Sequence, residues 1–427
     1  MPHLIVFSHL RWNFVYQRPQ HLLSRLAKHH EVLFVEEPMR EEGAPWLEAS
    51  EGAPGVTVLK PHTAIDAWGF HDDQLPVLRP LIAEYLRDKG ITDYIVWFYT
   101  PMALPLLAEL NPRAVVYDCM DELAAFKGAP KQLRQREAAL MKAADVVLTG
   151  GPSLYEAKRT LHDNVLCLPS AVDAQHYSPQ FAATRIDAML KAEELQGRIP
   201  GPRLGFFGVI DERLDIDLVA AVADADPDWQ VVMVGPVVKI DPARLPQRPN
   251  IHWLGQQPYA LLPQLVADWD VCMLPFALNE STRFISPTKT LEYMAAEKPI
   301  VSTAVHDVVA MYGDVVRIGQ DPAGFIEGCR WALSETAAKR AERITEMLST
   351  VARYSWDNAA ASVRDALDKV LDASPLPEAD DAQEQPAIAA ARRAPLAPVG
   401  TLALASPVAS SPKLQPLPSK AALAKAG

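Results

Sequence analysis

Short runs of β-branched and aromatic residues alternate along the chain with longer stretches whose apolar positions recur every three or four residues. "LIVFS" (4–8), "EVLFVEE" (31–37), "VTVLKP" (56–61), "YIVWFY" (94–99), "AVVYDCM" (114–120), "DVVLTGG" (145–151) and "NVLCLPS" (164–170) are near-continuous apolar runs of strand length. Such runs belong to parallel strands buried on both faces. "RPQHLLSRLAKH" (18–29) has one apolar face and a proline in its first turn, which predicts an amphipathic helix. Past a turn-rich connector, "LPSAVDAQHYSP" (168–179), the alternation restarts: "RLGFFGVI" (203–210), "WQVVMVGPV" (229–237), "NIHWLGQ" (250–256), "DVCMLPF" (270–276), "PIVST" (299–303) and "VVRIG" (315–319). The pattern predicts an α/β protein of two Rossmann-like domains facing across a cleft at the carboxyl ends of the strands. The expected parts are a first domain over 1–178, a linker over 179–202, a second domain over 203–353 and a last amphipathic helix over 354–372. From 373 to 427 the chain turns to Ala, Pro and Ser with few aromatics, so this tail is expected to be disordered.

A length of 427 residues accommodates two such domains with their own cores. The net charge of −12 lacks the basic footprint of general nucleic-acid binding. Cys119, Cys167, Cys272 and Cys329 sit far apart with no metal-ligand spacing, and read as isolated thiols of a reducing compartment. No apolar run has the length of a membrane span, and "LIVFSHLRW" is too short for the hydrophobic region of a signal. A cytoplasmic protein is expected, with any membrane contact peripheral and at the inner face of the plasma membrane.

"SPTKTLEYMAAEKPIVST" (286–303) carries the most chemistry. Ser286 is placed to cap a helix through its hydroxyl, and Pro287 suits the first helical position. The free amides of that first turn, which includes Thr288, favour an anion, and Lys289 adds a positive charge beside it. Glu292 shares the lysine's face one turn on; an ionised carboxylate only accepts hydrogen bonds, which suits a vicinal diol. A diphosphate at the amides and lysine, with a ribose at the carboxylate, is the footprint of a nucleotide sugar. The plainer alternative is a surface Lys–Glu pair worth about a few tenths of a kcal/mol. Its place between "DVCMLPF" and "KPIVST" favours the ligand site, because switch-point ligands lie there.

"NIHWLGQQPYALLPQLVADWDVCMLPF…SPTKTLEYMAAEKPIVST" resembles the donor-binding half of GT-B glycosyltransferases, in particular the bacterial family-4-type (group 1) enzymes of polysaccharide assembly. "LPSAVDAQHYSP" is similar to their interdomain connector, and the likeness extends over residues 1–372. The resemblance implies transfer of a sugar from a nucleotide-diphosphate donor to a glycan or lipid-linked acceptor in cell-surface or exopolysaccharide synthesis. It implies Glu292 on the ribose hydroxyls, Lys289 by the diphosphate, and Gly208 among the donor-binding residues. The first glutamate of the family's Glu-x(7)-Glu pair would fall where Phe284 stands, which leaves the donor sugar and the stereochemical outcome open. The usual cationic pair after this domain's first strand is reduced to Arg213 in "FFGVIDERLDID", and Arg283 and Lys289 are candidates to supply the rest. Glu297 replaces the usual helix-ending glycine. Asp215 and Asp217 spell the Asp-x-Asp metal motif of a different glycosyltransferase fold, but they sit at a helix start where acidic residues suit the dipole. No metal cofactor is expected.

In the first half, "VVYDCMDEL" (115–123) ends a strand with Asp118, Asp121 and Glu122 toward the cleft. Asp121 reads as the base or acceptor-orienting group, or as a helix cap; Glu122 reads as an acceptor contact and Asp118 as structural. In "SHLRWNFVYQRPQ" (8–20), His9 is the candidate for a catalytic or phosphate contact. Trp12 reads as a sugar platform or a buried aromatic, and Asn13 and Arg18 as acceptor-side groups, with loop anchoring the alternative for Arg18. Phe126, Lys127, Lys131, Arg134, Arg136 and Lys142 form a basic stripe suited to an anionic membrane surface or to plain solvation. Two other readings stay open: a nucleotide-sugar epimerase on the same fold, and a non-catalytic assembly protein that kept it. A dehydrogenase is disfavoured, since no G-x-G-x-x-G follows the first strand.

Overall fold

In the computed structural model, which describes residues 1–373, the strands assemble into two sheets. The first holds β1 (His3–Ser8), β2 (Val32–Glu36), β3 (Met39–Arg40), β4 (Trp46–Ala53), β5 (Val56–Thr63), β6 (Tyr94–Phe98), β7 (Ala114–Cys119), β8 (Val146–Thr149) and β9 (Val165–Cys167). Their order is β3-β5-β2-β1-β6-β7-β8-β9, with β4 antiparallel on β5 and all other pairs parallel. The second sheet, wholly parallel, holds β10 (Arg203–Phe207), β11 (Gln230–Val234), β12 (Ile251–Trp253), β13 (Val271–Leu274), β14 (Ile300–Thr303) and β15 (Arg317–Gly319) in the order β12-β11-β10-β13-β14-β15. Each chain starts at the centre of its sheet, runs outward one way, then returns to fill the other side. The order therefore reverses beside β1 and beside β10, and a crevice opens there at the carboxyl ends.

The apolar runs form strands because both faces of each sheet are covered. In β1, Leu4 and Val6 pack into one cluster and Ile5 and Phe7 into another, all four fully buried. Burying each such side chain is worth about 1.5–3 kcal/mol, far above any local propensity. The hairpin β4–β5 lay outside the sequence expectation. No residue of β4 is buried, so it carries no alternating apolar signal, yet Pro54-Gly55 makes its two-residue turn with Gly55 at φ 76°.

Residues 179–202, expected as a linker, hold the helices Pro179–Ala182 and Ile186–Gln196, and buried Gln196 donates to the Leu265 carbonyl at 2.9 Å. The chain then returns to the first domain. Val172 bridges Ser355 in parallel, with its amide on the Tyr354 carbonyl at 2.9 Å. The helix Trp356–Ala373 lays Trp356, Val363 and Leu367 on Leu22, Leu23 and Leu26. The expected tail beyond it lies outside the described residues. Among the described residues no helix is long and apolar enough to cross a membrane.

The helix Lys289–Ala295 closes with Glu297 at φ 60°, where the Lys298 amide donates to the Tyr293 carbonyl at 3.0 Å. A side chain in this left-handed region costs about 1–2 kcal/mol, and glycine avoids the clash. Glu297→Gly should raise the unfolding free energy by about 0.5–1 kcal/mol, after allowing for the extra freedom of glycine in the unfolded chain. Urea denaturation checks this; an unchanged or lower midpoint would mean that the glutamate side chain contributes stability of its own.

Candidate functional site

The second domain supplies one wall of the crevice. Gly208, just past β10, adopts φ 145° and lies under the stem of Lys289: a Cβ there would stand 2.1 Å from Lys289 Cε. The Lys289 ammonium sits 5.8 Å from the centroid of the Phe206 ring and closes no ion pair with Glu292. Burial pushes its pKa below the usual lysine value, while Glu292, Asp211 and Asp121 pull the other way. Arg213 is the second cation, fixed by buried Asp211 through bonds of 2.7 to 3.1 Å. A third, Lys239, follows β11 with its backbone left-handed at φ 61°.

Glu292 is 7% exposed. Desolvation raises its pKa to about 7, against the opposing pull of Lys289 and of the Tyr177 hydroxyl. That hydroxyl faces the carboxylate without closing a bond of good geometry, and the Tyr259 hydroxyl is likewise buried and unpartnered among the described residues. The Tyr259 ring is sandwiched between Tyr16 at 4.7 Å and His176 at 4.3 Å. A nearly buried acceptor between two donor hydroxyls and a lysine is equipped for a polar ligand that donates two hydrogen bonds.

The first domain supplies the other wall. Asp121, half-buried, has its pKa raised to about 6 by desolvation, with Arg213, Arg18 and Lys239 opposing. The expectation that it faces the cleft matches this setting: two of those cations come from the opposite domain. His9 keeps Nδ1 buried and without a partner among the described residues, and burial together with Lys239 lowers its pKa to about 4. It is therefore neutral at pH 7, able to offer an N–H but not a positive charge. Asn13 lies exposed in the same loop.

Several expected site residues are committed elsewhere. Trp12 is buried against Phe34, with its indole N–H on the Gly52 carbonyl at 3.0 Å, so it is no sugar platform. Arg18 grips Asp118 with two bonds of 2.8 and 3.1 Å and the Leu168 carbonyl at 2.7 Å; it anchors the connector and leaves nothing for an acceptor. Glu122 pairs with buried Lys158 at 2.7 Å. Arg283 is exposed over Phe284, beside Glu280, and Phe284 itself packs on the core of the first domain.

Ser286 does not cap the helix, which starts only at Lys289; its carbonyl accepts from Ser170, and Ser170 in turn accepts from Thr288. The amides of Thr290, Leu291 and Glu292 are taken by the Pro287 and Thr288 carbonyls, so side-chain cations rather than helix amides dominate this wall. Asp215 caps the Leu218 amide at 2.8 Å, and Asp217 is exposed in the same first turn. Among the described residues no group of three His, Cys, Asp or Glu converges as a metal site. The basic stripe is broken, since Arg136 is buried on the carbonyls of Phe70 and Met102 and on Asp72.

Lys239, Tyr177 and Tyr259 were missed. Lys239 sits five residues beyond β11, the strand beside β10, so asking which cations follow the carboxyl ends beside the switch point would have found it. Tyr177 lies in the connector and Tyr259 in the stretch that carries the family resemblance, and neither is marked by a local chemical pattern.

Residues 201–335 match the family described as Glycosyl transferases group 1. Over 301 residues the chain is 26% identical to TuaH of Bacillus subtilis (strain 168), named as a teichuronic acid biosynthesis glycosyltransferase, covering 66% of this chain and 73% of that protein. Sucrose-phosphate synthase from Thermosynechococcus elongatus matches with a TM-score of 0.62 at 16% identity, over 88% of this chain and 100% of that one. Anabaena HepE, in complex with UDP and glucose, matches with a TM-score of 0.62 at 15% identity, over 86% and 100%. The chain has the GT-B fold and carries a group 1 glycosyl transferase domain.

The close approach at Gly208 gives a direct test. Gly208→Ala must push the lysine stem aside, and the best-binding member of a UDP, GDP and ADP series should lose roughly tenfold in affinity, the worth of one charge-assisted contact. Calorimetric titration measures it; undiminished affinity would mean that Lys289 does not touch the nucleotide.

Proposed function

We propose that this GT-B glycosyltransferase moves a sugar from a nucleoside diphosphate donor to a glycan or lipid-linked acceptor in cell-surface polysaccharide synthesis. The observation that carries the reading is the Lys289–Glu292 turn: a lysine without an ion-pair partner among the described residues and a desolvated carboxylate on one face, opening on the crevice. Glu292 accepts from the ribose hydroxyls. Lys289, Arg213 and Lys239 face the diphosphate. As the bond from the sugar's anomeric carbon to the phosphate oxygen breaks, negative charge grows on the leaving diphosphate, and fixed cations stabilise it more than they stabilise the bound donor. Asp121 takes the proton from the acceptor hydroxyl. A carboxylate of pKa about 6 is ionised at neutral pH and close enough to it to act as a base. Neutral His9 offers its N–H to the donor or acceptor. The TuaH likeness supports the polysaccharide context, and no observation favours an epimerase or a non-catalytic role.

The proposal includes no metal cofactor, because three side-chain cations already supply charge to the diphosphate. EDTA should leave turnover intact; activity lost with chelator and restored by Mg²⁺ or Mn²⁺ would overturn this part. A donor of this class fits a cytoplasmic site of action, with membrane contact, where the acceptor is lipid-linked, peripheral at the inner face.

Two substitutions test the roles. Lys289→Met should lower turnover by roughly 100-fold while donor affinity falls less, and Lys289→Arg should recover only part of it. Equal losses in both would make the lysine a simple binding group. Glu292 is ionised above its pKa of about 7, so nucleotide affinity should be about tenfold weaker at pH 6 than at pH 8. Glu292→Gln should flatten that profile and cost about 1–3 kcal/mol of affinity at pH 8. A pH-independent affinity in the unsubstituted protein would remove the carboxylate from the ribose site.

A further inference from the structure

The loop that leaves β7 crosses to the second domain at three consecutive residues. The Ala125 carbonyl accepts from Ser281 Oγ at 3.0 Å, and the Lys127 amide donates to Glu212 Oε1 at 3.4 Å. Between them the Phe126 ring lies 5.4 Å from the Arg213 guanidinium and 5.2 Å from the Lys239 ammonium. Both cations are themselves held in place. Asp211 grips Arg213, and Glu212 stands 3.9 Å from the ammonium of Lys239, whose left-handed φ of 61° is one that lysine adopts only at a cost. Phe126 belongs to none of the apolar clusters, so its ring meets cations rather than core.

We propose that Phe126 is a positioning residue, whose ring on Arg213 and Lys239 latches residues 120–128 across the cleft and sets Asp121 for proton transfer. The inference rests on reading Asp121 as the base. The loop is fixed at its start, where the Met120 backbone lies against Gly150 so closely that a Cβ on Gly150 would stand 2.1 Å from the Met120 carbonyl oxygen. It is fixed again at Ala125–Lys127. Asp121 lies between these two points, and its distance from the second domain depends on both. The charged groups facing Asp121 are Arg213, Lys239 and Lys289 from the second domain, and Arg18 and Asp118 from its own. Two of these cations are the ones under the ring. The latch thus joins the domains and places the base through one ring and the two cations beneath it. Of the two cations under the ring, Arg213 is half-buried and Lys239 exposed, so the ring's cover bears mainly on the Arg213 side of Asp121.

The test uses Phe126→Ala and Phe126→Trp in the full chain. Hydrogen exchange of peptides spanning 120–128 needs no substrate: the alanine variant should lose protection and the tryptophan variant keep it. Nucleotide release from UDP-glucose, GDP-mannose or ADP-glucose, whichever the protein uses, should fall about 5- to 30-fold in Phe126→Ala, the worth of two cation–π contacts. Affinity for the matching free nucleotide should hold within twofold, and Phe126→Trp should restore turnover. The acidic limb of the pH–rate profile should move toward the ordinary carboxylate range as water reaches Asp121 in the loosened loop. Unchanged exchange in Phe126→Ala, or turnover and affinity falling together, overturns the latch. Asp121→Asn runs alongside: full turnover in that variant removes the base assignment, and the exchange result still decides the latch.

Discussion

Unpaired charge held out of water is the constraint on which the crevice depends. Lys289 and Glu292 are both desolvated, and each has its pKa displaced toward the neutral form. A structural ion pair would have closed, as Arg18 and Asp118 do, with two bonds and a carbonyl to complete the guanidinium. Burial of that kind is tolerated because every polar atom finds a partner. Among the described residues the Lys289–Glu292 turn is left incomplete, with two tyrosine hydroxyls also unpartnered beside it. The stability cost sits where a ligand can offset it.

The rest of the site follows from keeping that turn in register. Gly208 has no side chain because the lysine stem needs its space, and Gly235, at φ 149°, would place a Cβ 1.8 Å from the Gly208 carbonyl oxygen. Two neighbouring strands thus end in glycine so that their loops can stack closely beneath a cation. Ser170 ties the entry of the Lys289–Ala295 helix to the connector through Ser286 and Thr288, so the position of the first domain is felt directly at the Lys289–Glu292 turn.

The strands of both sheets were legible because parallel strands buried on two faces leave little room for polar residues. The two-residue β3 and the hairpin strand β4 were not, since neither has a buried residue and only the Pro-Gly turn marks the hairpin. Lys289 and Glu292 could be paired from sequence because one helical turn brings them together. The sequence leaves two readings open for Trp12 and for Arg18, and gives Glu122 as an acceptor contact, for the opposite reason: their partners Gly52, Asp118 and Lys158 lie 40, 100 and 36 residues away, and no local pattern encodes those contacts. Ser286 was misread more subtly. Serine followed by proline is a sound helix start, but here the chain runs on to meet Ser170 before the helix begins. Lys239 escaped because its role arises from the sheet order, which sets β11 beside β10.

The bridge between Val172 and Ser355 puts the chain's departure from the first domain next to its return. The helix that follows completes the layer begun by Leu22, Leu23 and Leu26, with Arg25 reaching Asp357 at 2.9 Å. In topological terms the second domain is therefore an insertion, spliced into the first at two abutting ends, rather than a module appended to it. A cut between the halves would strip the first domain of a helix that covers its sheet, whereas excising the inserted segment and rejoining the ends would keep that helix in place. Such nested wiring makes the second half separable as a unit and the first half separable only in two pieces.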